Sequence, residues 1–252
     1  MFEQVQQQKE SFERIYSLDE QSKFDFHITS NQLIRYLRDR RLHKGLNFLK
    51  KNHRDITDWS VLVVCGGVGG EGIFFIKNGF KSVTVSDISE NSLKTCNLFE
   101  PSITTIMLNG ESLDLLDNSY DLVVVQDGLH HLPRPVSGFT EMLRVARKAI
   151  IVIEPYDSLI GNLIGTEWEI HGDSVNFVFR WNKKMVVQTV KSMLLKKFAT
   201  IKVIRFWDHG LMVSKIVGKL PKFLQLTCAK AIYALLSTLN VAGNMMVAVV
   251  VK

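Results

Sequence analysis

Short apolar runs alternate with amphipathic ones between residues 61 and 154. VLVVC (61–65) is β-branched and uninterrupted, the pattern of a strand buried on both faces. SVTVSD (82–87), ITTIML (103–108), DLVVVQ (121–126) and AIIVIE (149–154) read as further strands. Between them, IFFIKNGF (73–80), ISENSLKTCNLF (88–99) and PVSGFTEMLRVARK (135–148) read as helices. Ser89 is placed to cap the second helix, and Phe139, Met142, Leu143 and Ala146 share one face of the third. TIKVIRFW (200–207) and MMVAVVV (245–251) read as two more strands. This alternation predicts an α/β fold, a Rossmann-like, doubly wound, seven-stranded and mostly parallel sheet with right-handed crossovers.

The remaining segments flank this core. Residues 1–57 predict a helical extension packed on the main domain, which runs over 58–252. Thr29 or Ser30 is the expected cap of a helix carrying Leu33, Ile34 and Leu37 on one face. Leu42, Leu46 and Leu49 suggest a second turn or helix. Residues 156–199 are too long for a simple crossover and predict a substrate cover. Phe177, Phe179 and Trp181 alternate there with Val178 and Arg180, as a strand or extended lid would. Residues 208–240 mix lysines with apolar residues at helical spacing, which suits a lid, a dimer face or a membrane-surface helix. Residues 231–251 carry no charge. Ser237, Thr238, Asn240, Gly243 and Asn244 crowd their middle, so a helix end, a turn and a buried strand are expected in place of a span.

Composition adds limits. Hydrophobic residues are 46% and charged residues 22%, enough apolar material for a sizeable core. Cys65, Cys96 and Cys228 lie far apart, which excludes a disulfide framework and a cysteine zinc site. With a polar N-terminus lacking a signal core, a cytoplasmic protein is expected. The net charge of +6 is uneven: residues 35–54 carry +7, residues 181–222 carry +9, and the rest sum to −10. Such asymmetry can draw nucleic acid, an anionic membrane or an anionic substrate. Aromatic residues are sparse in the first basic segment, which argues against RNA.

Gly67-Val68-Gly69-Gly70-Glu71-Gly72 reads GxGxxG between a strand and a helix, and Asp87 ends the next strand 20 residues after Gly67. This is an adenosine-cofactor fingerprint: a tight turn, close backbone approach and an acid for ribose hydroxyls. Alone it suits NAD or S-adenosylmethionine equally. The later motifs separate them. DNSYD (117–121) enters the fourth strand, LHHL (129–132) follows it, EMLRVARK (141–148) comes next and IEP (153–155) ends the fifth.

In this order the set resembles the class I S-adenosylmethionine-dependent methyltransferases over residues 58–155, and most nearly the small-molecule branch that includes ubiquinone and menaquinone C-methyltransferases. The resemblance implies an antiparallel last strand and S-adenosylmethionine as cofactor. It implies that Cys65, Gly66, Gly67 and Gly69 back the methionine moiety. It puts Asp87 on the ribose, Ile88 beside the adenine, and Glu111 or Ser112 at the adenine amino group. Gln126, Asp127 and Gly128 would line the cofactor. Val63 departs from the family's usual acid before the loop, and Cys65 from its first glycine.

A methyl transfer asks the protein mainly to orient and desolvate, with a general base where oxygen or nitrogen accepts. His130 and His131 are the candidate bases, with Asp127 as an alternative. Glu154, Tyr156 and Arg180 are candidates for substrate contact, Arg180 as a clamp for carboxylate or phosphate. His171 and Asp173 make two ligands at most, so no metal is expected. The expected function is methyl transfer to a small organic acceptor, anionic if the basic segments bear on it. Three rivals stand beside it: a non-catalytic partner protein with a degenerate cofactor site, an NAD-dependent oxidoreductase and an RNA methyltransferase.

Overall fold

The computed structural model of the protein describes residues 2–17, 25–172 and 174–252. Three helices come first, α1 (Phe2–Ile15), α2 (Asp25–Ile28) and α3 (Gln32–Asn52). The core follows as β1 (Ser60–Val63), α4 (Gly70–Lys77), β2 (Ser82–Asp87), α5 (Glu90–Phe99), β3 (Thr104–Met107), β4 (Tyr120–Gln126), α6 (Pro135–Val145) and β5 (Ala146–Pro155). Then come α7 (Leu159–Ile164), a hairpin of β6 (Trp168–His171) and β7 (Ser174–Phe177), and α8 (Lys183–Leu194). The chain closes with β8 (Thr200–Phe206), α9 (Gly210–Val217), α10 (Lys222–Ser237) and β9 (Met245–Val251).

The main sheet has the order β3-β2-β1-β4-β5-β9-β8. β1 to β5 pair in parallel, and β9 runs antiparallel between β5 and β8. An all-parallel dinucleotide-binding sheet lacks such an inserted strand. Each central strand is buried on both faces. Val61 and Val63 face one apolar layer with Leu42, Leu46, Phe74 and Phe75; Leu62 and Val64 face the other with Phe139, Trp181 and Val186. α3 lies close on the sheet because Gly45 has no side chain; a Cβ there would sit 2.8 Å from Ile151 Cγ2.

Several expectations shift. Asn31, rather than Thr29 or Ser30, caps α3, accepting from Leu33 N (3.0 Å) and Ile34 N (3.3 Å). α3 then runs unbroken through Leu42, Leu46 and Leu49. Ala146 leaves the helix and opens β5 opposite Tyr120. The alternating aromatics do not form one strand: β7 stops at the exposed Phe177, whereas Trp181 is fully buried against Phe139. α8 buries Val186 and Val190 in the same layer, so α7 and the hairpin alone remain outside the core. The uncharged C-terminal stretch is the end of α10, a turn and β9. No helix among the described residues is long and apolar enough to cross a membrane.

Candidate active site

A cavity of about 220 Å³ opens at the carboxyl ends of β1, β2 and β4. Parallel sheets bind ligands there, because adjacent strand-to-helix turns diverge. Cys65, Gly66 and Gly67 form its floor. Cys65 takes the left-handed conformation (φ 52°) that a glycine would adopt more readily. Gly69 at φ 89° turns the chain into α4, and a Cβ on it would meet Cys96 Sγ at 2.3 Å. Asp87 stands beside the loop, accepting from Gly67 N at 2.8 Å and Ser89 N at 2.9 Å. Enclosure raises its carboxyl above the ordinary range, against the pull of those donors. Ile88, Leu108 and Leu132 supply apolar walls, and Asn109 and Gly110 a polar edge.

The roof is α1. Val5, Gln8, Phe12 and Ile15 repeat at helical spacing and face the cavity, followed by Tyr16. Gln8 Nε2 donates to the His131 carbonyl and Ser11 Oγ to the His171 carbonyl. The Glu13 carboxylate accepts from Glu90 N (2.6 Å) and Asn91 N (3.0 Å), capping α5 from outside its own helix. Burial, then Asp87 and Glu71, push the Tyr16 phenol up to about 12.

One wall is ionic. Glu71 binds Arg38 (2.8 Å) and accepts from Gln126 Nε2 (2.9 Å). Gln126 Oε1 is buried and receives no donor from the described residues. Asp127, at φ 53°, pairs with Arg41 at 2.6 Å. Burial would raise Asp127, but Arg41 and then His130 outweigh it and hold the carboxyl below its usual range. Arg41 and Arg40 also meet Asp208 at 3.2 and 2.9 Å. The arginines of α3 therefore turn inward to carboxylates, and the basic segment 35–54 is not simply a solvated face.

The turn after β4 carries the histidines. Glu154, fully buried on β5, accepts from Gly128 N (2.9 Å) and Leu129 N (2.7 Å) and meets His130 Nδ1 at 2.6 Å. His130 Nε2 faces Glu169 Oε2 at 3.5 Å, and His171 Nε2 faces the same oxygen at 3.4 Å. Burial would lower His130, but Glu154 and Glu169 overcome it and raise the imidazole to about 10. His131 is driven the other way, to about 3, by burial and then by the His130 charge. Adjacent histidines are thus split into a cation and a neutral ring. Glu169 lies below the ordinary carboxylate range, chiefly through its hydrogen bonds to His130 and His171.

Of the residues singled out in the sequence, Cys65, Gly66, Gly67, Asp87, Ile88, Gln126, Asp127, Gly128, His131 and His171 line this cavity. The others do not. Gly69 packs on Cys96. Glu111 is held by Arg134 (2.9 Å), and Ser112 is exposed, so Asn109 and Gly110 take the polar edge instead. His130 and Glu154 stand behind His131. Tyr156 lies under Arg205, 4.3 Å from its ring centroid. Arg180 donates to the Thr166 carbonyl at 2.6 Å and to Val178. Asp173 lies outside the described residues. Sequence reading missed Phe12, Tyr16, Arg38, Glu71 and Glu169. The spacing of Val5, Phe12 and Ile15 was the available signal for the roof.

Residues 63–153 match the family model for a methyltransferase domain. None of the curated proteins matches the chain in sequence. Among solved structures, a possible histamine N-methyltransferase of Thermotoga maritima is 14% identical, with 96% of this chain and 99% of that one covered and a TM-score of 0.58. A putative methyltransferase of Haloferax volcanii, solved with the Trm112 activator, is 11% identical over 95% of this chain and 96% of that one, TM-score 0.61. An N-methyltransferase of Haemonchus contortus, in complex with phosphomonomethylethanolamine and S-adenosylhomocysteine, is 12% identical over 91% and 59%, TM-score 0.54. At such identities the likeness is one of fold, and the sheet order with its inserted antiparallel strand agrees with it. The match over residues 63–153 gives the chain a methyltransferase domain, and its fold is the one shared by solved S-adenosylmethionine-dependent methyltransferases.

Proposed function

We propose that the protein methylates a small organic acceptor held between the cofactor and the His131–His171 end of the cavity. The observation that carries this is Gln126 Oε1 on the cavity wall, a buried acceptor without a donor among the described residues. An unpaired buried carbonyl is costly, so it marks a place for a ligand N–H. The methionine ammonium supplies one. Gln126, beside Glu71, thereby takes the place of the acid that Val63 lacks. Asp87 would receive the ribose hydroxyls, its remaining lone pairs facing the cavity. Ile88, Leu108 and Leu132 would enclose the adenine with Asn109 at its edge. Cys65, Gly66 and Gly67 would lie along the methionine chain.

S-adenosylmethionine supplies an electrophilic methyl on a sulfonium. The chain's own residues orient the acceptor and handle the proton. His131 is the candidate base. Its Nδ1 faces Asn176 Oδ1 (3.4 Å) and Glu169, so in the tautomer protonated there Nε2 keeps its lone pair. A ring this hard to protonate suits an acceptor atom made acidic by methylation. His130 is a positioning residue, fixed by Glu154. Because Arg38, Arg40 and Arg41 are bound to carboxylates, an anionic acceptor draws support only from residues 181–222. The closed roof and the LHHL and IEP motifs favour the small-molecule branch over RNA.

Calorimetric titration with S-adenosylmethionine, S-adenosylhomocysteine and NAD, with Asp87→Ala as control, tests the reading. Micromolar binding of the first two, lost in the variant, is expected. Binding of NAD alone would overturn it.

A further inference from the structure

The hairpin α9–α10 has apolar residues on both sides of its first helix. Val213 and Val217 are fully buried, one turn apart, against Leu33 and Leu37 of α3. Outside that buried stripe the helix exposes Leu211 (71%), Met212 (52%) and Ile216 (53%). Phe223 (80%) and Leu235 (73%) continue this exposure on α10. Lys215, Lys219 and Lys222 are exposed among them. From residue 209 to residue 252 the chain contains no Asp or Glu.

We propose that this hairpin docks the enzyme on an anionic lipid surface. A soluble helix turns one stripe inward and leaves charge outside; one apolar all round needs a second apolar medium. Lysines interleaved with the exposed apolar residues, and no acid to offset them, fit a layer of negative headgroups over acyl chains. A second copy fits poorly. A two-fold contact would set this lysine-bearing face against an identical one, and the hairpin offers no carboxylate to lie between them.

The hairpin is wired to the cavity. Its root, Asp208, binds Arg40 and Arg41, and Arg41 binds the cavity residue Asp127. It emerges from the end of β8, and α7, with Leu159 and Leu163 exposed, lies beside the same edge at Asn244. Docking therefore brings the carboxyl edge of the sheet to the membrane. Resting on the methyl-transfer reading above, this points to an acceptor presented at a lipid surface.

Flotation of the full chain with vesicles of phosphatidylglycerol and phosphatidylcholine, against pure phosphatidylcholine, tests the proposal. Anionic vesicles should carry the protein up, and 0.5 M salt should weaken that. Lys215→Gln/Lys219→Gln/Lys222→Gln should lower the partition coefficient about 100-fold, taking roughly 1 kcal/mol for each lysine. Leu211→Ser/Ile216→Ser/Phe223→Ser should abolish it. These positions are exposed, so thermal melting and S-adenosylhomocysteine binding should stay as in the parent. Equal recovery with neutral and anionic vesicles, or none with either, overturns the proposal. So does a dimer that Phe223→Ser dissociates. Loss of cofactor binding by the parent protein would instead sink the methyltransferase reading and leave the flotation result standing.

Discussion

His130 and Glu154 share a 2.6 Å contact between Nδ1 and Oε2, and the same carboxylate binds the amides of Gly128 and Leu129. One buried charge thus shapes the turn after β4 and fixes the charge of its first histidine. The second histidine is neutral partly because the first is not. Glu154→Gln keeps an amide acceptor for the turn but removes the charge. His130 should then fall from about 10 towards its ordinary value, and His131 should rise from about 3 as the neighbouring cation is lost. Imidazole NMR titration reads both directly. Unmoved titrations would show that the split has another origin.

The same linkage sets a stability profile. A histidine raised to about 10 contributes stability that is fully present below its unfolded value, near 6.5, and lost as pH climbs towards 10. His131 and His27, lowered to about 3 and about 4 mainly by burial, act at the other end. The unfolded chain binds their protons first, so stability falls as pH drops below about 6.5. Melting temperature should therefore decline on both sides of near-neutral pH, and Glu154→Gln should flatten the alkaline side. A parent protein whose melting is flat from pH 7 to 10 contradicts the assignment.

Gln126 offers a sharper test of cofactor placement. Gln126→Leu should weaken S-adenosylhomocysteine roughly ten- to a hundredfold, the cost of losing a hydrogen bond to a charged group. An analogue lacking the amino group should bind both proteins alike. If the analogue and the parent ligand lose equally in the variant, Gln126 does not meet the ammonium.

Much of this arrangement was legible in the sequence because it is local. The strands at 82–87 and 245–251 appear at the predicted limits, since β-branched runs bounded by turns leave few alternatives. Asp87 ends its strand opposite the glycine loop for the same reason. What stayed hidden depends on partners far apart in the chain. Arg41 looked like surface charge until Asp127 and Asp208, 86 and 167 residues later, were folded against it. Glu111 was lost to the cavity by Arg134, which no local pattern pairs with it. Phe12 sits in a mostly polar helix, and only its docking makes that helix a roof.

That docking rests on Glu13. Its carboxylate takes the first free amides of α5, where the helix dipole also favours negative charge. Glu13→Ala should cost about 1 kcal/mol, as loss of a cap does, and raise the fraction of open roof about fivefold. Bound S-adenosylhomocysteine should leave about fivefold faster, and amides of α1 should exchange sooner. Unchanged dissociation would mean that the roof opens without breaking this cap.

Arg41 is the harder case, because it joins the cavity to the hairpin. Buried between Asp127 and Asp208, it pairs with the first and shares the second with Arg40. Arg41→Met fits the stem of the side chain but strips Asp127 of its arginine, while Asp208 keeps Arg40. Breaking a buried pair costs about 3–5 kcal/mol, and melting should fall on the order of 10 °C in a chain of this size. The loss belongs to the stranded Asp127 charge more than to the arginine. Adding Asp127→Asn should therefore restore most of the melting temperature while Arg41→Met is retained. If the double variant melts as low as the single one, the network stabilises through packing of the guanidinium, and the ionic account of this wall is wrong.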